Sequence, residues 1–238
     1  MIVVVAETGS TNADVLDRRG AAERFGEGDW LVADRQSAGR GRLAREWRGG
    51  AGNFMGSTCV VLRRDDPPPA TLALVVGLAL HAATRPLTAR DTRLVLKWPN
   101  DLLIDGAKLA GILLERSDDR VVIGVGVNLA VAPPVADRAI ASLARAGQAP
   151  DRDAFAETLA ASFSKELARW RTVGLAATLR GWQEAAHPIG TRLSVAPPGE
   201  PTLTGKFAGL DDQGNLRLRI GAGVRTIQAG DVALVAGV

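Results

Sequence analysis

Asp105-Gly106 lies between two runs rich in apolar and β-branched residues, and this pair constrains the chain more than any other feature. Asp-Gly tolerates the left-handed backbone of a two-residue primed turn, so it predicts an antiparallel hairpin over residues 96–115. Pro99 predicts an interruption of the first strand, because proline cannot donate to a sheet ladder. Only Lys97, Lys108, Lys165 and Lys206 among the 29 basic residues are lysine, and two of them fall in this hairpin. Where arginine is the default cation, lysine marks a place that needs a compact, strongly hydrated ammonium on a flexible stem. A single strand lysine is ordinarily a solvated one. Trp98, Asn100 and Asp101 beside Lys97 turn the reading toward a site.

With 238 residues the chain has room for one sizeable domain and a small one. Hydrophobic and charged contents of 46% and 23% are ordinary globular values and exclude global disorder. The isoelectric point near 9.6 points toward nucleic acid. A formal net charge of only +3 makes that support weak, since late-titrating arginine raises the value. Cys59 is the single cysteine, and His81 and His187 stand far apart, so neither a disulfide framework nor a zinc or other resident metal site is expected. The longest apolar run, residues 70–83, contains His81 and is shorter than a membrane span, and the N-terminus does not read as a secretion signal. A cytoplasmic protein without membrane association is expected.

Along the chain, residues 2–5 read as a strand. Ser10-Thr11-Asn12 then opens a helix to about residue 22, with Thr11 and Asp14 spaced as a capping box, which by itself accounts for these residue types. Residues 30–34 form the next strand and lead into a segment, 35–53, that matches neither periodicity. Its five glycines permit close backbone approach, and Arg40, Arg42, Arg45 and Arg48 offer guanidinium forks for carboxylate or phosphate. A ligand loop and an exposed Arg/Gly tract with loose RNA affinity weigh about equally on composition alone. Residues 54–62 predict a strand and 70–85 a buried helix, on which His81 is a core or boundary residue. In the strand 120–128, Gly124 and Gly126 resemble the start of a dinucleotide fingerprint, but no third glycine or helix follows, so a Rossmann site is rejected. These glycines and Asn128 still allow a planar ligand to lie close to the strand. An Ala-rich connection with a short helix begins at Pro133, and an amphipathic helix spans 151–171 on Phe155, Leu159, Phe163, Leu167 and Trp170. A second helix covers 175–186. After Pro188-Ile189-Gly190 the pattern changes to short alternating strands, which predicts a small barrel-like β-domain. The chain has no internal repeat and no Walker A motif.

Three pieces in this order, Gly39-Arg40-Gly41-Arg42 closed by Trp47, Lys97-Trp98-Pro99-Asn100-Asp101 continued by Lys108-Leu109-Ala110-Gly111-Ile112-Leu113, and Gly124-Val125-Gly126-Val127-Asn128, resemble the biotin–protein ligase family. Ser10-Thr11-Asn12 and Gln36 also fall where that family has them. The resemblance is to a short form without the N-terminal DNA-binding domain, so no DNA partner and no repressor role is expected. It implies an α+β fold: a class II synthetase-like catalytic domain over residues 1–188, with a mixed β-sheet and flanking helices, then an SH3-like β-barrel over 189–238. The implied activity is ATP-dependent formation of biotinyl-5′-AMP and transfer of biotin to a lysine of a biotin carboxyl carrier protein, with Mg²⁺ as counterion of ATP.

By the same resemblance, Lys108, Arg42 and Asp101 would be catalytic, with Asp101 orienting Lys108 or receiving the acceptor amine's proton. Ser10, Thr11, Asn12, Gln36, Arg40, Gly41, Arg42 and Lys108 would bind biotin. Arg42, Trp47, Asn100 and Asn128 would bind the nucleotide. Ala44 departs from a usual glycine, and Arg48-Gly49-Gly50 from a more usual Ser-Pro-containing turn. A lipoate or octanoate ligase or transferase of the same fold is the nearest rival, and an Arg/Gly-loop nucleic-acid-binding protein the rival from another class. A homodimer stays open.

Overall fold

The computed structural model describes residues 1–18, 20–135, 139–146 and 149–235. Seven strands, β1 (Ile2–Thr8), β2 (Trp30–Gln36), β3 (Phe54–Val61), β4 (Leu94–Lys97), β5 (Asp101–Ile104), β6 (Ala107–Ser117) and β7 (Arg120–Val127), form one sheet in the order β1-β2-β3-β7-β6-β5-β4. Only β1 and β2 run parallel, so the sheet is mixed, as expected. Asp105 and Gly106 both take positive φ, 49° and 83°, and join β5 to β6 by the tight turn the pair predicts. Pro99 does more than interrupt a strand. Trp98-Pro99-Asn100 reverses the chain, so β4 and β5 are antiparallel neighbours with Lys97 opposite Asp101. The expected hairpin is therefore three strands, β4-β5-β6, with Asp101 on the middle one.

Four helices flank the sheet: α1 (Thr11–Asp17), α2 (Leu72–Thr84), α3 (Arg152–Thr172) and α4 (Leu175–Ala185). On one face, Trp30, Val32, Phe54 and Val60 pack against α2 and against the Phe155, Leu159, Phe163, Leu167 and Trp170 stripe of α3, all buried. Asp151 caps α3 by accepting from the backbone N–H of Asp153 and Ala154. With its flanking 3-10 turns, α2 extends over Pro69–Leu87, long and apolar enough by length and composition to cross a membrane. Here it is the central core helix, with Leu72, Val75, Val76, Ala79 and Leu80 without exposure. His81 is half-buried on it, and burial lowers its pKa below the usual histidine value.

The first helix is shorter than the sequence predicts. Arg18 adopts left-handed φ/ψ, its N–H closes onto the Asp14 carbonyl, and the chain passes through a 3-10 turn at Gly20–Ala22. That turn lets Ala22 and Phe25 fold in against Val15, Leu31, Cys59 and Val122, the small cluster on the other face of the sheet. The capping box is also absent: Ser10 is the N-cap and makes no side-chain cap bond, while the Asp14 carboxylate accepts from the Thr8 hydroxyl.

β8 (Arg192–Ala196), β9 (Leu203–Leu210), β10 (Leu216–Ile220), β11 (Gly223–Ile227) and β12 (Asp231–Leu234) form an antiparallel sheet in the order β11-β10-β9-β8-β12. This is the small C-terminal β-unit the alternating pattern predicts. Its inner residues Leu193, Val195, Phe207 and Leu218 belong to the same buried cluster as Leu179 and Trp182 of α4. The Trp98 indole N–H donates to the Gly214 carbonyl at 3.1 Å, fixing the β4–β5 reversal to this unit.

Candidate active site

The sheet face opposite α2 and α3 changes character along the strands. Near Cys59 and Val122 it is packed by the small cluster. Two residues further along the same face come Ser57 and its register partner Gly124, and then Gly126, paired with Gly111. Three glycines on neighbouring strands remove the side chains that would fill this space. A cavity of about 460 Å³ opens above them, a size suited to a small-molecule ligand. The glycines are needed for packing as well as for space. A Cβ at Gly124 would stand 2.5 Å from Asn12 Oδ1, and one at Gly126 would stand 2.2 Å from Cε2 of the Trp47 ring.

One wall is a buried hydrogen-bond chain from the start of α1. The Thr11 backbone N–H and hydroxyl both reach Gln36 Oε1, at 2.8 and 3.0 Å, and the Thr11 hydroxyl lies 2.7 Å from Ser57 Oγ. Ser57 donates to Asn12 Oδ1 at 2.8 Å, and Asn12 Nδ2 donates to Glu115 Oε2 at 2.6 Å. Arg40 also donates to Glu115 Oε2, at 3.2 Å. Chained polar groups in a low-dielectric wall hold one another's orientation, which preorganises them for a polar ligand head.

The opposite wall is cationic. Asp101 is 6% exposed, with Lys108 Nζ 2.6 Å from Oδ1 and Lys97 Nζ 2.9 Å from Oδ2. Burial pushes the Asp101 carboxyl up, but Lys108 and then Lys97 outweigh it and hold the group below the usual carboxylate range. Arg42 comes from the loop side, donating to Asn100 Oδ1 at 3.1 Å and to the Gly230 carbonyl at 3.3 Å. Burial lowers its pKa from the usual guanidinium value, and a guanidinium keeps its proton in proteins, so Arg42 is a cation here. Lys97, Lys108 and Arg42 thus line one cavity with one buried carboxylate among them, an excess of positive charge that suits an anionic ligand.

The segment between β2 and β3 is the lid. Gly41 N–H to the Arg45 carbonyl and Trp47 N–H to the Gly39 carbonyl fold it back on itself, and Leu43 takes φ 57° inside its 3-10 turn. The Trp47 indole lies over Gly111 and Gly126, with Lys108 Nζ 5.8 Å from its ring centroid. The C-terminal unit closes the rim. Asp231 pairs with Arg45, the Gly230 carbonyl accepts from Arg42, and the Val232 carbonyl accepts from Lys97 at 2.8 Å.

All of the sequence-predicted residues, Ser10, Thr11, Asn12, Gln36, Arg40, Gly41, Arg42, Trp47, Asn100, Asp101, Lys108 and Asn128, border this cavity. Some are engaged differently from the expectation. Asn100 accepts from Arg42 and donates to the Ile112 carbonyl at 2.7 Å, so its amide serves the site's framework. Asn128 is buried, donates to the Ala141 carbonyl at 3.3 Å and accepts from Asn53 at 3.4 Å. Arg40 turns to Glu115. Sequence reasoning missed Ser57, Glu115 and Asp231, and it singled out Lys97 and Arg45 without giving either a place among the site residues. Ser57, one of two adjacent polar residues with Thr58 in the mostly apolar β3, was the one legible signal among the missed three.

Residues 9–128 match the Biotin/lipoate A/B protein ligase family, and residues 195–235 match the Biotin protein ligase C terminal domain. A Biotin--[acetyl-CoA-carboxylase] ligase of Paracoccus denitrificans is 37% identical over 240 residues, covering 96% of this chain and 98% of that protein. One of Mycobacterium tuberculosis is 40% identical over 235 residues, covering 96% and 87%. The biotin protein ligase of Aquifex aeolicus, solved in complex with biotin and ATP, superposes with a TM-score of 0.84 at 25% identity and 99% coverage of both chains. The chain belongs to the biotin/lipoate A/B protein ligase family.

Proposed function

We propose that this chain is an ATP-dependent biotin–protein ligase: it joins biotin to AMP with release of pyrophosphate, then transfers the biotinyl group to a lysine of a biotin carboxyl carrier domain. The observation that carries the reading is the glycine-floored cavity with Lys97, Lys108 and Arg42 along one wall. In the first step a carboxylate oxygen attacks the α-phosphorus and pyrophosphate leaves, so an anion must approach a polyanion. Fixed cations in a site that excludes water lower that repulsion, and one such preorganised donor is worth about 10²–10³ in rate.

Lys108, partly buried on β6 and paired with Asp101, is the cation we assign between carboxylate and α-phosphate, with Arg42 beside it. The Thr11–Gln36–Ser57 chain offers donors and acceptors to the ureido ring, joined by Ser10, Asn12, Arg40 and Gly41. Trp47 covers the acyl adenylate, and Asn100 and Asn128 border the nucleotide. In the second step the acceptor amine attacks the acyl carbon, AMP departs and the amine loses a proton. Asp101, held below the usual carboxylate range by two ammonium groups, is a weak base, which favours its role in positioning Lys97 and Lys108 over proton removal.

ATP enters as its magnesium complex. Among the described residues no cluster of three His, Cys, Asp or Glu side chains offers a protein cage, so the ion fits as one carried by phosphate and water. Residues 1–188 supply the chemistry in this reading, residues 189–238 complete the rim, and the protein works in the cytoplasm. Incubation with ATP, biotin and a purified carrier domain tests it. Pyrophosphate release and a mass shift of one biotinyl group are expected. The same result with lipoate and none with biotin would replace biotin by the long-chain acid.

A further inference from the structure

We propose that the outer face of the C-terminal sheet is the docking surface for the carrier domain, and that it recognises an acidic patch beside the acceptor lysine. The inference rests on the ligase reading above. Arg192 of β8 is the register partner of Lys206 of β9, and Lys206 is the register partner of Arg219 of β10. Arg217 lies two residues along β10 on the same face, and all four are exposed. Three cations therefore face one another directly across adjacent strands, at a side-chain spacing of about 5 Å.

Like charges at that spacing work against the sheet. Among the described ion pairs none involves any of the four, and the one pair within this unit is Arg225 with Glu200. The core does not need them either, because the inner face is filled by Leu193, Val195, Phe207 and Leu218. A charge row that opposes the fold and has no partner within it is a surface arranged for an external anion.

Its position selects the partner. β8 is bordered on its other side by β12, where Ala196 is the register partner of Asp231. Asp231 and Val232 line the cavity. Four residues of strand separate Arg192 from Ala196, about 13 Å. A standard protein interface covers about 800 Å² per partner, so one docked domain spans both the row and the cavity rim. A partner seated there places its lysine at the rim while its carboxylates meet the row. A nucleic acid is disfavoured, because single-strand binding sets aromatic platforms among its cations and the one aromatic residue of this unit, Phe207, is 3% exposed.

The test separates the two half-reactions of the intact protein. One triple variant reverses the row (Arg192→Glu, Lys206→Glu, Arg219→Glu) and a second neutralises it with glutamine at the same positions. Biotin-dependent pyrophosphate release reports the site and the fold, and is expected to stay within about twofold of wild type. The KM for a purified biotin carboxyl carrier domain is expected to rise at least tenfold in the reversed variant and less in the neutral one, with kcat retained. The wild-type KM rises with added salt, and that of the neutral variant does not. An unchanged carrier KM beside normal pyrophosphate release overturns the inference alone. So does loss of binding to a generic DNA or RNA oligonucleotide with the carrier KM unchanged. A wild-type protein that releases no pyrophosphate with biotin overturns the ligase reading and this inference with it.

Discussion

Asp101 and His187 are both buried, and their surroundings drive their ionisation in ways that decide what each can do. Lys108 and Lys97 overcome the burial of Asp101, so its carboxylate is charged throughout the neutral range and gives up this stabilisation only as pH falls below the ordinary carboxylate values. His187, 6% exposed at the junction before the C-terminal sheet, is pushed down to about 4, first by burial and then by Arg93 and Lys97. Its unfolded counterpart binds a proton near 6.5, so stability is full above that value and declines as pH falls toward 4. Urea unfolding at pH 7.5 and pH 5 is expected to differ by about 2 kcal/mol on account of this group. In His187→Gln the difference is expected to shrink by that amount, leaving the part that the lowered pKa of His81 contributes, and an unaltered difference in the variant contradicts the assignment. The rarity of lysine made Lys97 and Lys108 legible in the sequence. Glu115 and Asp231 were not, because each is an ordinary strand carboxylate until the fold sets an arginine against it.

At the scale of elements, the chemistry depends on what β3, β6 and β7 leave out. The pairing of Gly111 with Gly126, and of Gly124 with Ser57, is a property of register between strands far apart in the chain. The sequence showed two of these glycines in one strand, and the floor they make needs the partner strands. Gly126→Ala is expected to drive the Trp47 indole from its seat, and a displacement of about 1 Å at such a site costs on the order of 10²-fold in adenylate formation. In a Trp47→Ala background the same substitution is expected to cost little more, and a full additional loss there would contradict the contact. Two other elements show why local patterns misled. Thr11 and Asp14 have capping-box spacing, but the Thr11 hydroxyl is drawn to Ser57 and Gln36 across the sheet, so tertiary partners displaced the local bond. Pro99 signalled a break, and only the pairing of Lys97 with Asp101 turns that break into a reversal that sets both lysines on one carboxylate.

For the molecule as a whole, the alternating pattern after Pro188 made the second β-unit legible, yet nothing in it announced that the unit reaches the site. Gly230, Asp231 and Val232 engage Arg42, Arg45 and Lys97 respectively, so the seven-stranded sheet, the lid and the C-terminal unit close one cavity together. The Arg45–Asp231 pair is 45% and 30% exposed, and solvent screening limits such a pair to about 0.2–1 kcal/mol. Asp231→Asn is accordingly expected to raise the KM for ATP by no more than about fivefold at unchanged kcat, and a lowered KM would mean that the carboxylate competes with ATP instead of positioning the lid. In the proposed reaction, Lys108 and Arg42 together bring carboxylate and phosphate into contact. Single-turnover pyrophosphate release with saturating biotin and ATP tests it most directly. Lys108→Ala and Arg42→Ala are each expected to slow release by about 10²–10³, and near wild-type release in both would rule out that role for the two cations.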